Sequence, residues 1–159
     1  SMSHAFGQPG LLPGLPDPEI DRQFYDGVPG RRFAAWLLDV GLVLLIGVPT
    51  AIVFGLMTLG LGFMLFPLVL AGTGFVYRVM TLSTGSATLG MRLMGLEFRR
   101  ADGSRFDGLT ATLHTALYMV CLSFMVLQVI SCVTILTTAY RQSLPDLVLR
   151  TTAINRPAN

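Results

Sequence analysis

The sequence predicts an all-α membrane protein: a small bundle of two full transmembrane helices plus a third apolar helical region, with a small cytoplasmic β-hairpin. Of the 159 residues, 52% are hydrophobic and 13% are charged, whereas a soluble domain has about 25% charged residues. The apolar residues lie in long runs, and a helix needs about 20 such residues to cross a bilayer. At this length we expect one transmembrane domain, over residues 31–156.

Residues 1–30 precede the first apolar run, and they are polar and rich in glycine and proline. Such a composition buries too little apolar surface to form a core, so we expect a flexible N-terminal arm. Within this arm, residues 19–26 have the composition of a short surface helix.

The first span is expected at about residues 33–54 and carries one acidic residue, Asp39. Arg31, Arg32 and Trp36 are typical of a cytoplasmic membrane interface, whereas Asp39 lies about two helical turns farther in. A carboxylate at the centre of a span costs at least about 2.5 kcal/mol. We therefore expect a basic or donor group from another part of the chain to reach it, and the candidates are Arg32, His114 and Arg141. Asp39 is then either a structural packing group or part of a proton or cation path.

A second span follows at about residues 60–80, and a polar loop follows at about 81–108. Pro67 lies inside this span and predicts a bend, because proline removes a helical hydrogen bond. Tyr77 and Arg78 are interpreted as interface anchors at the end of the span. In the loop, the residues Ala101-Asp102-Gly103 are a turn signal that favours a β-hairpin over 96–106.

The third apolar region, about residues 109–138, is either one span or a hairpin of two short helices. Arginines precede the first span, are absent between the first two spans, and recur in the 81–108 loop and the tail. By the positive-inside rule, the N-terminus, this loop and the tail are all cytoplasmic. Three full crossings would place the tail outside, so the charges favour the two-helix hairpin. A strand-like segment at 147–154 could then pair with the 96–106 segment.

Several function classes lack a sequence signal. The chain shows no Ser-His-Asp arrangement, no paired carboxylates and no metal-ligand spacing among its two histidines and two cysteines. We therefore expect no catalytic residues, no metal and no cofactor, and the protein is not expected to be an enzyme. The net charge of +2 is too small to indicate nucleic-acid binding.

Three motifs in this order resemble the RDD family of small bacterial integral membrane proteins. The first motif is Arg-x2-Ala-x3-Asp at Arg32 and Asp39, and the third is Gln-x3-Asp ending at Asp146. The second is the loop motif Gly85, Thr88 and Gly90. The resemblance covers about residues 28–156, and it implies that Arg32, Asp39 and Asp146 are the residues for which the family is named. It also implies location in the bacterial cytoplasmic (inner) membrane.

The chain departs from the family pattern at Met91, His114 and Pro145, and each difference removes or weakens a positive charge near a motif. The resemblance implies transport of an unidentified small ligand, or cation/proton exchange that uses the intramembrane aspartate. The alternative is a non-catalytic scaffold or assembly factor in which Arg32, Asp39 and Asp146 are structural. The expected partners are the lipid bilayer, a second copy of the chain, and proteins that bind the cytoplasmic loop.

Overall fold

The computed structural model describes Leu12 and residues 14–157, which form six α-helices and two β-strands. The helices are α1 (Val28–Met57), α2 (Phe66–Gly85), α3 (Leu89–Leu93), α4 (Gly108–Ser123), α5 (Met125–Thr137) and α6 (Leu144–Leu149). The strands are β1 (Leu96–Arg100) and β2 (Thr151–Asn155).

Two segments are long and apolar enough to cross a bilayer: helix α1, and the stretch Leu61–Gly85 that contains α2. Both candidate spans predicted from the sequence therefore form helices. The bend predicted at Pro67 is wrong, because Pro67 lies in the first turn of α2, directly after a 3-10 segment at Leu61–Leu65. In the first turn, the N–H that proline lacks has no helical partner to lose. Helix α2 also continues to Gly85, five residues beyond the predicted end.

The third apolar region folds as α4 and α5, whose axes differ by 118° at the break between them. Phe124 has an extended backbone at this break. The region therefore forms two short helices rather than one straight helix, and this bent pair fits either a broken span or a two-helix hairpin.

The two strands form an antiparallel pair in which Leu96 lies opposite Asn155 and Arg100 lies opposite Thr151. The predicted hairpin is wrong: the chain does turn after β1, where Gly103 N donates to Arg100 O, but residues 104–106 form no strand. The predicted pairing with the tail is confirmed, although residues 147–149 belong to α6.

The buried apolar side chains concentrate at the end of the molecule that holds the sheet. This core contains Val28, Ala35, Leu82, Ala87, Met91, Leu96, Phe98, Phe106, Ala111 and Ala153. Elsewhere α1, α2 and α5 expose large apolar side chains, such as Leu45, Leu68 and Val126. The polar loop and the tail thus lie together at one end of the helices.

The described part of the N-terminal segment contacts this same end. Leu12, Leu15 and Tyr25 are buried beside Tyr140 and Ile154, and Leu12 N donates to the Tyr140 hydroxyl at 3.0 Å. The short helix predicted at 19–26 is reduced to a 3-10 turn at Arg22–Phe24. Residues 1–11 and 13 of the predicted arm lie outside the described residues.

Candidate functional site

Asp146, at the start of α6, is a fully buried carboxylate that joins four segments of the chain. Its Oδ2 accepts from Arg32 Nη1 at 2.8 Å and from Ser143 N at 3.1 Å. Its Oδ1 accepts from His114 Nε2 at 2.7 Å and from Thr151 Oγ1 at 2.9 Å. Burial alone would raise the pKa of Asp146, but Arg32 and His114 together hold it well below the usual range of a carboxyl group. The charged form is therefore the native form.

Asp39, in the middle of α1, is a second buried carboxylate, and it is bound by neutral donors. Its Oδ1 accepts from the Tyr77 hydroxyl at 2.6 Å and from Gly90 N at 2.9 Å, and its Oδ2 accepts from Thr88 Oγ1 at 2.6 Å. Thr88 also caps the N-terminus of α3 by accepting from Met91 N. Asp39 thus ties α1 to α2 and to α3.

At the two glycines of the loop motif, other parts of the chain lie too close for a side chain. A Cβ at Gly90 would lie 2.7 Å from Asp39 Oδ1 and would collide with the carbonyl oxygen of Ala35. A Cβ at Gly85 would collide with the guanidinium of Arg92. The loop motif therefore has a structural reason: Thr88 and Gly90 hold Asp39, and Gly85 leaves room for Arg92.

Arg78 lies between the two carboxylates, near the middle of the bundle. Its guanidinium carbon is 4.0 Å from the centre of the Tyr118 ring, a cation–π distance. Its Nη2 is 3.4 Å from His114 Nδ1. Because His114 Nε2 faces a carboxylate, we assign the histidine proton to Nε2, so that Nδ1 accepts from Arg78. Tyr118 in turn accepts from Trp36 Nε1 at 2.7 Å.

These polar groups line a cavity of about 440 Å³, a volume typical of small-molecule sites. Its walls come mainly from α1, α4, α5 and α6, and Arg78 of α2, Met91 of α3 and Phe98 of β1 complete the lining. The polar and charged lining includes Arg32, Trp36, Asp39, Arg78, His114, Tyr118, Gln128 and Ser131, and apolar lining residues include Phe33, Ile135 and Leu136. The arrangement can bind a molecule that has both a polar and an apolar part.

The structure brings four of the five predicted site residues to this region: Arg32, His114 and Asp146 in one bonded cluster, and Asp39 on the cavity wall. The candidate partners of Asp39 were wrong, because its bonded donors are Tyr77, Thr88 and Gly90 rather than Arg32, His114 or Arg141. Arg141 instead donates to the carbonyl of Leu136 at 2.6 Å, at the end of α5.

Sequence reasoning missed Tyr77, Arg78 and Tyr118 as members of this site. Tyr77 and Arg78 were interpreted as interface anchors because the second span was expected to end near residue 80. Helix α2 continues to Gly85, so Arg78 lies about two turns inside it. Like Asp39, Arg78 is a charged residue about two turns from the end of an apolar helix. That position was the signal that could have identified Arg78 as a site residue.

The donor set does not suit a metal ion. Within Leu12 and residues 14–157, no three His, Cys, Asp or Glu side chains come together.

The fold is that of a small helical protein with two candidate membrane spans and a bent pair of helices, α4 and α5. A buried polar network connects these helices. A family model described as "RDD family" matches residues 27–150. The chain belongs to the RDD family, and its apolar helices are those of a membrane protein. No curated protein and no solved structure gives a significant match.

Proposed function

We propose that this protein binds a small ligand in the cavity between α1, α4, α5 and α6, and that it acts as a membrane transporter for that ligand. The single observation that carries the proposal is the cavity of about 440 Å³, whose lining includes Asp39 and Arg78 from the two candidate spans. Intramembrane ionisable groups that face a cavity are usually functional.

Asp39 lines the cavity, and Asp146 holds the lining residues Arg32 and His114 in place. Both oxygens of Asp39 already accept hydrogen bonds from Tyr77, Thr88 and Gly90. A carboxylate bonded in this way connects helices, and its oxygens have little remaining capacity to bind a cation. Cation/proton exchange through Asp39 therefore has weaker support than binding of a ligand in the cavity.

Orientation and assembly are part of the proposal. The N-terminal segment, the 81–108 loop and β2 lie at one end of the molecule, where Arg31 Nη1 donates to Asn155 Oδ1 at 2.9 Å. Because this end also carries most of the arginines, we place it in the cytoplasm, with the helices in the bacterial inner membrane. The exposed apolar faces of the helices suit lipid or a second copy of the chain.

A substitution that fills the cavity tests the proposal. Cys132 and Val133 are both exposed, but only Cys132 lines the cavity. Wild type, Cys132→Phe and the matched control Val133→Phe are purified from their native membrane, and bound small molecules are extracted and identified by mass spectrometry. We expect at least one molecule to be enriched with wild type and Val133→Phe and depleted with Cys132→Phe. The reconstituted wild type should then move that molecule across a liposome membrane.

Cation/proton exchange and a scaffold role predict different outcomes in these binding and liposome experiments. If the same molecules are retained by all three proteins, the proposed ligand site is wrong. If liposomes that contain the wild type dissipate a pH gradient on addition of sodium or potassium, and the Asp39→Asn variant does not, exchange through Asp39 replaces the proposal. If liposomes stay silent and a stable hetero-complex is purified from the native membrane, the protein is a scaffold.

A further inference from the structure

Arg78 is a cation inside the bundle without a carboxylate partner. Of the five arginine–carboxylate ion pairs among the described residues, none includes Arg78. Its Nε is buried, and within that same part of the chain it has no hydrogen-bond partner. Buried guanidinium N–H groups are normally paired, because each unpaired donor is costly away from water. Arg78 is thus an incompletely paired cation among the residues that line the cavity.

The two carboxylates nearest Arg78 use their oxygen atoms to accept hydrogen bonds from other donors. Arg32 and Asp146 form an ion pair with each other at 2.8 Å, and His114 donates to Asp146. Asp39 is the other charged group on the cavity wall. Its oxygens accept from three donors other than Arg78. Among the described residues, the Arg78 guanidinium therefore makes no hydrogen bond to either carboxylate, and an anion could take that place.

The rest of the cavity suits an apolar chain. Helices α1 and α5 do not pack closely against each other. Phe33 on α1 and Leu136 on α5 both line the cavity and are 61% and 62% exposed. The cavity therefore opens between these helices onto the apolar outer surface of the bundle. The acyl chains of a bilayer cover such a surface, so a lipid-like molecule could enter sideways.

We infer that the cavity binds an anionic amphiphile, with its carboxylate or phosphate head group on the Arg78 guanidinium and its apolar tail in the opening between α1 and α5. This inference rests on the proposed function and names the class of ligand. Arg78 takes the head group because guanidinium binds carboxylate and phosphate through paired, charge-assisted hydrogen bonds. The tail gains nothing from water exclusion within lipid, so the selectivity comes from the head group.

The single tryptophan of the chain reports on this site, because Trp36 lies on the cavity wall. The protein is purified in a neutral detergent and titrated with a long-chain carboxylate that carries bromine, which quenches nearby tryptophan fluorescence. The brominated alcohol with the same chain is the control for the charge. Acetate and inorganic phosphate compete as head groups without tails. The variants are Arg78→Gln, Arg78→Lys, and the matched control Arg105→Gln, whose side chain is 61% exposed at the sheet end.

We expect the carboxylate to quench Trp36 at a concentration at least about tenfold lower than the alcohol, because a hydrogen bond to a charged group gives a preference of this size. Arg78→Gln should remove the preference, Arg78→Lys should keep part of it, and Arg105→Gln should leave it unchanged. Acetate and phosphate should not displace the brominated carboxylate at the same concentration.

Equal quenching by carboxylate and alcohol in the wild type would overturn the inference, even if Arg78→Gln fails to fold. If that equal quenching also saturates and is lost in Cys132→Phe, a ligand still occupies the cavity and the proposed function stands. Displacement by phosphate alone would show that the site takes free anions and would overturn the part of the inference that concerns the tail. An unchanged preference in a folded Arg78→Gln would show that Arg78 is not the head-group site.

Discussion

The sheet end and the long helices of this molecule are stabilised in opposite ways. At the sheet end, strands β1 and β2 bury polar side chains such as Glu97 and Thr152, and each is bonded within the chain. In the helices, α2 buries only Gly74 and Leu82, and α5 buries only Ser131. The sheet end has its own buried core, whereas the helices expose most of their apolar side chains on the outer surface.

This difference shows which part of the sequence specifies the tertiary fold. Lipid is as apolar as leucine, so apolar side chains gain little by leaving it for a protein interior. Buried polar groups, in contrast, are costly unless they are paired. Beside the apolar core that α1, α3, α4 and β2 share, polar residues make the directional contacts between these elements and α6, with Asp146 and Asp39 at their centres.

The largest expected effect is at Asp146. The Asp146→Ala variant leaves Arg32, His114 and Thr151 without their shared acceptor, and removal of one partner of a buried ion pair costs about 3–5 kcal/mol. The free energy of unfolding, measured by denaturant titration in detergent micelles, should fall by that amount. Asp26→Ala at an exposed position is the control and should change the free energy by less than about 0.5 kcal/mol. A loss below about 1 kcal/mol at Asp146 would mean that the pair behaves like a surface ion pair.

A pair of leucine substitutions compares the two regions directly. Leu82 is fully buried at the sheet end, and Leu45 in α1 is 70% exposed. We expect Leu82→Ala to cost about 2–5 kcal/mol because it leaves a cavity in a packed core. Leu45→Ala should cost less than about 0.5 kcal/mol. The same unfolding titration measures both, and a large cost at Leu45 would indicate that this face of α1 packs against a second protein chain.

The smallest effect is expected at Asp39, where the two regions meet. Its three donors are neutral, and an asparagine oxygen can still accept from Tyr77 and Gly90. Only the contact with Thr88 changes, because the amide nitrogen cannot accept from that hydroxyl. The Asp39→Asn variant should therefore lose about 1 kcal/mol, the net value of one hydrogen bond. The Tyr118→Phe variant, which removes the hydroxyl that binds Trp36, provides a matched loss of one hydrogen bond. If Asp39→Asn is as destabilising as Asp146→Ala, a cation rather than neutral donors compensates the charge of Asp39.

The sequence alone predicted the helical fold class, the first two candidate spans and the resemblance to the RDD family. It did so because long apolar runs and short motifs are local features, and each can be read from neighbouring residues. It also placed the tail beside residues 96–100, through the arginine pattern, which constrains the side of the membrane on which each segment lies. The bend at Pro67 and the hairpin at 96–106 failed for a local reason, since each depended on where one element begins or ends.

Only the tertiary structure decided which donors reach each carboxylate. Asp39 and Arg32 are seven residues apart on one helix, yet they bind different segments: Asp39 bonds to α2 and the start of α3, and Arg32 bonds to Asp146. The physical reason is that a buried carboxylate is satisfied by any donor within about 3 Å, whether neutral or charged. Which donors lie that close depends on how helices far apart in sequence pack together, and the sequence pattern of one helix does not contain that information.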